Sequence, residues 1–583
     1  MKKLFYLFLA GIFLNVFPLR GEDSFPAVDI VASRIASFPG TIIISAGEIE
    51  KMPGNSVSEI IRYAAGVDIQ MRESFGGQGD VTFLGSTFEE VAVLVDGVKM
   101  NDRQTGHHNL NLPLSKENIE RIEILTVPAA SLYGSGAFAG TINIVTKKRR
   151  ENLFSLNLGA FEKNTFSNST SYGLNTGKLS IFMQEEKNIS QGYYPGRDFR
   201  NSGYYGKISY SGKARLGLQY GRQDKDFGAA HFYSLVTENE REVTQSDYFL
   251  LDIEHPLSSN LFLTSKSSLR AHDDEFSYNF GSGFYRNLHK NRRRAEELSL
   301  RYAGSGTAMN FGGEFVSENM ASNALKNETQ TTAAFFAGLR RKTGKHEPFI
   351  NARRDHNSEW DNKDSISLGD TLGTASGKLH ILFATAFRPP SYTELKYWDP
   401  GNEGNEALHL EKSRYYEIGC EIKKWICSLF LREGRDIIDW VKFKEGDPWK
   451  SWNVPVLDMK GARLEKEFFV RENRFKAGYV FLDSKTGEEY FDSKYAFNYP
   501  RHQVNFSFFP CALKGWESSL SGVYKKRRDN QEAYLISDMR ISKKIRSLEI
   551  YFEGLNLFDE RVEEVEGVKT SGRWLGGGIQ IAL

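Results

Sequence analysis

The stretch IERIEILTVPAASLYGSGAFAGTINIVTKK, residues 119–148, decides the fold predicted for this chain. Alternating apolar residues open and close it, and small residues fill the middle, among them Gly134, Gly136 and Gly140. Glycine allows backbones to approach closely and turns to take positive φ angles. The stretch therefore predicts a strand, a tightly packed turn and a second strand.

Around this stretch, residues 36–148 have the pattern of a small mixed α/β domain. Two capping boxes predict two short helices, one opened by Ser45 with Glu48 and one by Ser56 with Glu59. We expect the first helix to stop at Pro53 and the second to end at Gly66. Strand-like runs lie at residues 80–84, 91–95, 122–125 and 141–145, and Asp96-Gly97 predicts a hairpin turn.

From about residue 150 the pattern changes to short alternating runs. Val504, Phe506 and Phe508, for example, alternate with polar residues. Apolar-out, polar-in alternation is typical of a transmembrane β-barrel. The remaining length, at roughly 20 residues per strand and connection, suits about 22 antiparallel strands. A secreted sandwich or solenoid would also alternate, but no fixed internal period is present. We expect an all-β transmembrane barrel over residues 149–583.

Composition gives no reason to expect a nucleic-acid partner. The 583 residues include 75 Lys+Arg and 74 Asp+Glu, so the charge is balanced. Aromatic residues make up 13%, and the mean hydropathy is −0.45. A barrel keeps its mean hydropathy low because only every second residue faces lipid, and it needs aromatics at both interfaces. These values allow a barrel in membrane lipid.

The first residues have the pattern of a secretory signal peptide. Lys2 and Lys3 precede an apolar run at residues 4–19, which is too short for a membrane anchor. We expect cleavage near Gly21, which makes residues 1–21 the signal peptide and the mature chain an exported protein.

Several ordered motifs resemble those of TonB-dependent outer-membrane receptors. They are SVSEIIRYAAGVDIQ (residues 56–70), AVLVDGVKMN (92–101), LYGSGAFAGTINIVTK (132–147), FRPPSYTEL (387–395) and GNEALHLEK (404–412). The resemblance implies that residues 36–148 form a plug domain inside the barrel lumen. It further implies a monomeric importer, not an enzyme and without a cofactor, in a Gram-negative-type outer membrane. Its implied partners are TonB, the barrel assembly machinery, membrane lipid and a small-molecule substrate.

Residues 22–35 contain AVDIVASR (residues 27–34), which resembles a TonB box. Such a segment binds TonB by strand addition, in which main-chain hydrogen bonds supply the attachment. The predicted TonB contacts are Val28, Asp29, Ile30, Val31 and Ala32. The alternative is that this segment is the first strand of the plug.

Two plug loops, residues 72–79 and 102–109, lie where the family's substrate-contacting loops fall. The predicted substrate contacts are Arg72, Glu73, Ser74, Phe75, Gln78, Arg103, Gln104, Thr105, His107 and His108. Paired histidines suggest metal or haem, but no carboxylate or cysteine cluster accompanies them in the sequence, so no metal site is predicted. The acidic run Asp273, Asp274 and Glu275 is interpreted as solvated charge.

Within the family, the plug most resembles cobalamin transporters. The parallels are GVDI (residues 66–69), QTGHH (104–108) and DFGAAHFY (226–233). We therefore expect import of cobalamin or another corrinoid. The alternatives are a ferric siderophore, then haem; a passive porin or adhesin on the same scaffold; and a signalling receptor, which normally needs a further N-terminal domain.

Departures from the family pattern concern the seating of the plug. Where many members have the motif "RGP", this chain has Thr126-Val-Pro128, and where they have "RG" it has Leu84-Gly85. Both changes remove a positive charge.

A two-residue turn at Lys423-Lys424 would place Cys420 directly opposite Cys427 on the neighbouring strand. The two residues would then form a disulfide or remain two unpaired thiols.

Overall fold

The computed structural model describes residues 38–75, 77–148, 152–233, 239–279, 283–487, 490–528, 532–565 and 567–583. The predicted signal peptide, residues 1–21, and the predicted TonB-box segment, residues 22–35, both lie outside the described residues. None of the described helices is long and apolar enough to cross a membrane.

The N-terminal domain, here called the plug, is built on a five-stranded mixed sheet in the order β1-β6-β7-β4-β5. Its strands are β1 (Ile42–Ser45), β2 (Val67–Met71), β3 (Gly79–Phe83), β4 (Val91–Val95), β5 (Val98–Lys99), β6 (Ile119–Leu125) and β7 (Gly140–Thr146), with β2 and β3 forming a separate ribbon. The helices are α1 (Ala46–Lys51), α2 (Val57–Ile61) and α3 (Ala130–Tyr133). Short 3₁₀ turns lie at Phe88–Glu90, Gly106–His108 and Lys116–Asn118.

The stretch at residues 119–148 forms the centre of this sheet, as predicted. β6 and β7 pair antiparallel, and the small residues between them fold into α3 and a turn at Gly134 (φ +72°). At Gly140 an added Cβ would lie 2.1 Å from the Leu125 carbonyl oxygen, so only glycine fits there. The close approach inferred from the sequence is therefore real.

Both predicted capping boxes are present at the starts of α1 and α2, opened by Ser45 and Ser56. α1 ends before Pro53, as expected. α2 ends earlier than predicted, at Ile61, and Gly66 (φ +83°) lies in the following turn, where an added Cβ would lie 2.8 Å from the Leu84 side chain.

The rest of the chain forms a closed antiparallel barrel of 22 strands, which confirms the predicted fold class. These are β8 (Leu153–Phe161), β9 (Thr165–Asn175), β10 (Leu179–Ser190), β11 (Phe199–Ser211), β12 (Arg215–Gly228), β13 (Glu240–Pro256), β14 (Leu261–Asn279), β15 (Phe284–Gly304), β16 (Thr307–Ser322), β17 (Glu328–Arg341), β18 (Phe349–Asn357), β19 (Lys363–Thr374), β20 (Gly377–Arg388), β23 (Glu411–Ile422), β24 (Trp425–Lys442), β25 (Trp449–Val470), β26 (Asn473–Thr486), β28 (Pro500–Phe509), β29 (Trp516–Arg527), β30 (Tyr534–Ile545), β31 (Leu548–Leu555) and β34 (Trp574–Ala582). Short strands occupy the connections at β21 (Trp398–Asp399), β22 (Asn402–Glu403), β27 (Asp492–Ser493), β32 (Glu563–Val565) and β33 (Val568–Lys569), together with the helix α4 (Tyr392–Lys396).

The barrel wall alternates as the sequence predicts. Val504, Phe506 and Phe508 face outward, whereas Asn505 and Ser507 are buried on the inner side. The outer surface is accordingly apolar, as lipid requires. At the Lys423-Lys424 turn, Cys420 and Cys427 lie directly opposite each other as predicted, and both thiols are free.

The two ends of the barrel differ in the length of their connections. Long connections, such as residues 389–410 and 556–573, lie at one end, here called the long-loop end. Turns such as residues 305–306 and 471–472 lie at the other, here called the short-turn end.

The plug contacts the inner wall on several sides. Asp96 pairs with Lys207 of β11 at 3.3 Å, and Arg463 of β25 donates to Thr126 Oγ1 at 2.9 Å. Arg62 pairs with Asp538 of β30. The plug therefore lies within the lumen.

Candidate functional site

Two plug loops meet the barrel wall at the long-loop end. We call residues 72–79 the first apex loop and residues 102–109 the second apex loop; Gly76 lies outside the described residues. The first loop follows β2 and the second follows β5. Their contacts reach the connections after β12, β20 and β31, which all lie at the long-loop end.

The second apex loop is held closed by its own polar groups and by Glu89. The Asp102 side chain accepts from the backbone N–H of Gln104 at 2.9 Å, and Asn109 Oδ1 accepts from the N–H of Asp102 at 3.1 Å. Glu89 Oε1 accepts from the Gly106 N–H at 2.8 Å. This closure presents His107 and His108 from a single 3₁₀ turn.

The FRPPSYTEL motif, residues 387–395 of the barrel, hydrogen-bonds to the backbone of the second apex loop. The first N–H groups of α4, from Tyr392 and Thr393, donate to the carbonyl oxygens of Arg103 and Gln104 at 3.0 and 3.1 Å. Arg388 fixes α4 through Glu394 at 2.8 Å and also pairs with Glu411. The motif thus positions the second apex loop against the wall.

His108 points into a group of buried acidic side chains. Its Nε2 lies 3.6 Å from both Glu242 Oε1 of β13 and Asp274 Oδ2 of β14. Gln104 Nε2 donates to Asp274 Oδ2 at 2.7 Å. Burial alone would lower the pKa of His108, but the negative charges of Asp274, Glu242 and Asp102 outweigh it and raise that pKa to about 9. The buried carboxylates therefore favour a positive charge at this position.

A second histidine, His272 of β14, lies beside this group. Its Nδ1 lies 2.6 Å from Asp102 Oδ2, and its ring centroid lies 4.6 Å from that of His108. Arg270 pairs with the same carboxylate at 2.9 Å. Asp102 therefore connects the second apex loop to β14 by two contacts.

His107 belongs to a separate contact between the two apex loops. Its Nδ1 lies 2.8 Å from Asp80 Oδ1, and Arg72 Nη1 pairs with Asp80 Oδ2 at 2.7 Å. Burial raises the pKa of Asp80, but the charges of Arg72 and His107 outweigh it and lower that pKa to about 2. The His107 ring stacks on Phe88 at 4.2 Å. These contacts join the loops into one unit.

The structure brings the ten predicted substrate contacts together at this apex, but most of them are buried. Ser74, Arg103 and His107 are half-buried, and the other seven are buried. A cavity of about 50 Å³ lies beside Arg103 and Trp360. It is far below the ~300 Å³ of small-ligand sites. Their role as substrate contacts therefore stays a prediction.

Two sequence-based interpretations are wrong. Carboxylates do accompany the paired histidines, because Asp80, Glu242 and Asp274 reach them from other strands. Nor is the acidic run all solvated charge, since Asp274 is buried in the lumen while its two neighbours face outward to arginines.

Strand alternation in the sequence could have predicted which side chains of β14 face the lumen. On β14, Arg270, His272 and Asp274 recur at every second position, so all three face the lumen. The sequence does not tell which strands face the apex loops, and Glu242 therefore could not be paired with His108 in advance.

Comparisons with known proteins agree with this architecture. Residues 35–141 match the TonB-dependent Receptor Plug Domain, and residues 146–557 match the TonB dependent receptor-like, beta-barrel family. The vitamin B12 transporter BtuB of Vibrio vulnificus is 23% identical over 612 residues, covering 96% of each chain. The ferric enterobactin receptor PirA of Pseudomonas aeruginosa is 37% identical over 131 residues, which cover 20% of this chain and 17% of that protein.

Among solved structures, the siderophore receptor PiuA of Acinetobacter baumannii superposes with a TM-score of 0.76 at 14% identity, covering 94% of this chain and 97% of that one. This likeness shows the fold. Since the two family matches together span most of the sequence, the chain belongs to the TonB-dependent receptors, outer-membrane proteins that bind TonB and small molecules and are not enzymes.

Proposed function

We propose that this protein imports a corrinoid, cobalamin or a close relative, across the outer membrane with force supplied by TonB. The observation that carries the proposal is the similarity to BtuB, a vitamin B12 transporter, over 96% of both chains. The long-loop end faces outward in such barrels, so the apex loops lie on the side from which the ligand arrives.

The charges at the apex support a ligand of low net charge. Arg72, Arg270 and Arg388 are paired with the carboxylates of Asp80, Asp102 and Glu394, respectively. A strongly anionic ferric catecholate would have to break such buried pairs, which is costly. A corrinoid instead carries many neutral amides, which suit side-chain amide and hydroxyl partners.

The closed apex supports capture above the plug followed by plug movement. The cavity of about 50 Å³ beside Arg103 cannot hold a corrinoid. The ligand therefore binds first over the apex loops, and passage requires that the plug rearranges. The residues proposed to receive the pull of TonB are Val28, Asp29, Ile30, Val31 and Ala32.

Uptake of a ferric siderophore is the second candidate. It is favoured by the 37% identity to the ferric enterobactin receptor PirA, although only over 131 residues. Two lysines of the long-loop end add support, since Lys442 and Lys494 lie 4.4 and 5.8 Å above the Trp449 ring. A lysine beside an aromatic face is a suitable contact for an anionic aromatic chelate.

Calorimetry on the purified barrel in detergent tests the two ligands against each other. Cyanocobalamin and ferric enterobactin are titrated separately into the unchanged protein and into Gln104→Ala. We expect submicromolar cyanocobalamin binding that weakens in the variant. His346→Asn, at an exposed position of the short-turn end, is the matched control and should bind as the unchanged protein does. Binding of ferric enterobactin alone would overturn the corrinoid proposal.

Deleting residues 27–34 separates an active importer from a passive porin or adhesin. In an importer the deletion removes uptake into cells and leaves binding to the purified protein unchanged. A porin or adhesin would lose neither. Uptake that continues at full rate after the deletion would contradict the proposed TonB contacts.

A further inference from the structure

We infer that His108, Glu242 and Asp274 form a binding site for a divalent transition-metal ion that joins the second apex loop to the barrel wall. One ligand comes from the plug and two come from the neighbouring strands β13 and β14. The inference does not depend on which small molecule the protein imports.

The spacing of the three side chains suits a shared ion better than direct hydrogen bonds. His108 Nε2 lies 3.6 Å from each carboxylate oxygen, and the three ligand atoms lie within 4.8 Å of one another. A hydrogen bond at 3.6 Å is not formed. Atoms bound to one tetrahedral zinc ion at 2.0–2.2 Å are ~3.3–3.6 Å apart. Small side-chain movements would complete the coordination.

The other contacts of Glu242 and His108 leave their facing atoms available for coordination, and Asp274 offers Oδ1, since its Oδ2 accepts from Gln104. The Tyr233 hydroxyl donates to Glu242 Oε2, which leaves Oε1 toward His108. On the imidazole, Nδ1 lies 3.4 Å from the Asn111 amide nitrogen, so Nε2 is the atom turned to the carboxylates. These outer contacts orient two of the three ligands.

Unpartnered buried atoms give an independent sign of a missing ligand. Among the described residues, Asp274 Oδ1 and His272 Nε2 have no hydrogen-bond partner, although Asp274 is only 5% exposed and His272 is 0% exposed. A buried polar atom left without a partner costs free energy. Since the His272 ring lies beside that of His108, with their centroids 4.6 Å apart, both atoms belong to the same group of side chains.

The donor set selects the kind of ion. An imidazole nitrogen with two carboxylate oxygens suits Zn²⁺, Co²⁺ or Ni²⁺, whereas Ca²⁺ and Mg²⁺ prefer oxygen ligands alone. The two carboxylates would balance the charge of a divalent ion. Because His108 belongs to the plug and the carboxylates to the wall, a bound ion would resist withdrawal of the second apex loop.

Cobalt binding tests the site directly. The full chain, purified in detergent and stripped with EDTA, is titrated with Co²⁺, whose visible absorption reports nitrogen and oxygen coordination. We expect one tightly bound ion, displaced by Zn²⁺. His108→Asn and Glu242→Gln should each weaken binding by at least about tenfold. His346→Asn removes an exposed histidine that lies 2.6 Å from Asp370 and should change nothing.

A second measurement keeps the test decisive if one variant folds poorly. Zn²⁺ should raise the Tm of the unchanged protein and of His346→Asn, but not that of Glu242→Gln, which keeps the size of the side chain. Folding of each variant is checked by circular dichroism. Absence of a bound ion in the folded, unchanged protein would overturn the inference, as would equal binding by all folded variants.

Discussion

Arg432 and Arg463 supply from the barrel the positive charges that the plug lacks. Arg432 donates to the Gly85 carbonyl oxygen at 2.9 Å, next to Leu84, and Arg463 donates to Thr126 Oγ1 at 2.9 Å. Leu84 and Thr126 are the two positions at which the sequence departs from the family pattern. At both positions a barrel arginine therefore contacts the plug where the sequence departs from the family pattern.

Replacing Arg463 by methionine should destabilise the folded protein by about 2–4 kcal/mol. The side chain is 4% exposed and also donates to the Gly40 carbonyl oxygen at 3.0 Å, so its loss leaves the buried Thr126 hydroxyl and the half-buried Gly40 carbonyl without this donor. Urea unfolding in detergent measures the change. Arg501→Met is the control, because Arg501 is half exposed and its surface pair with Asp483 is worth at most about 1 kcal/mol. Equal losses in both variants would contradict this role.

Glu73 should make the stability of the protein fall as pH rises. Burial raises the pKa of Glu73 to about 7, with the Ser571 hydrogen bond opposing it only in part. In the unfolded chain its pKa is about 4.3. The folded state therefore holds the proton to higher pH, and stability is lost between about pH 4.3 and 7, by an amount on the order of 4 kcal/mol.

Glu73→Gln removes this titration, so its Tm should exceed that of the unchanged protein at pH 8 and match it at pH 4. Thermal unfolding at the two pH values measures the difference. Glu50→Gln is the control, since the Glu50 side chain is 61% exposed. A Tm difference for Glu73→Gln that does not change with pH would argue against a buried, protonated carboxyl.

At the level of elements, the position of the second apex loop depends on a close backbone approach at Gly106. An added Cβ would lie 2.9 Å from Phe88 Cδ2 and 3.0 Å from the Phe88 carbonyl oxygen. Because the obstruction includes backbone, Gly106→Ala should displace the second apex loop without unfolding the barrel. We expect amide hydrogen exchange over residues 102–109 to rise at least about tenfold, the equivalent of 1.4 kcal/mol of local stability. Gly47→Ala, which has open space around it in α1, should leave that exchange unchanged.

The elements themselves were largely predictable because their signals are local. Capping boxes at Ser45 and Ser56 predicted the starts of two helices, and alternation predicted the inward and outward faces of β28. The end of α2 was misplaced, since Gly66 serves a packed turn rather than a helix end. α4 has its own capping box at Ser391, but its role in holding Arg103 and Gln104 arises only from the tertiary fold.

The site could not be predicted to the same extent, because its partners are far apart in the sequence. His108 meets Glu242 and Asp274 only when the plug lies inside the closed barrel. The ligand is harder still to infer, since one scaffold carries sites for different ligands in different proteins.

For the whole molecule, the interface between plug and barrel is rich in polar contacts. Lys207 and Gln219 both reach Asp96, at 3.3 and 2.6 Å, and Lys266 donates to the Asp96 carbonyl oxygen at 2.7 Å. Water can replace such hydrogen bonds at small net cost, whereas exposing an apolar core to water costs in proportion to its area. Apolar side chains also cross the interface, since Leu84 and Leu125 of the plug lie in one buried group with Phe430 and Met459 of the barrel. The polar contacts can therefore be released under load at small net cost, whereas the apolar contacts set most of the cost of moving the plug.

A disulfide between plug and wall should therefore block transport and leave binding intact. Ser131 of α3 and Ser367 of β19 lie with their Oγ atoms 2.8 Å apart, so Ser131→Cys with Ser367→Cys places two thiols within bonding reach. In cells, the oxidised double variant should bind cobalamin but accumulate none, and a reductant should restore uptake. Ser131→Cys alone is the control and should transport under both conditions. Full uptake by the oxidised double variant would mean that the ligand passes while this part of the plug stays against the wall.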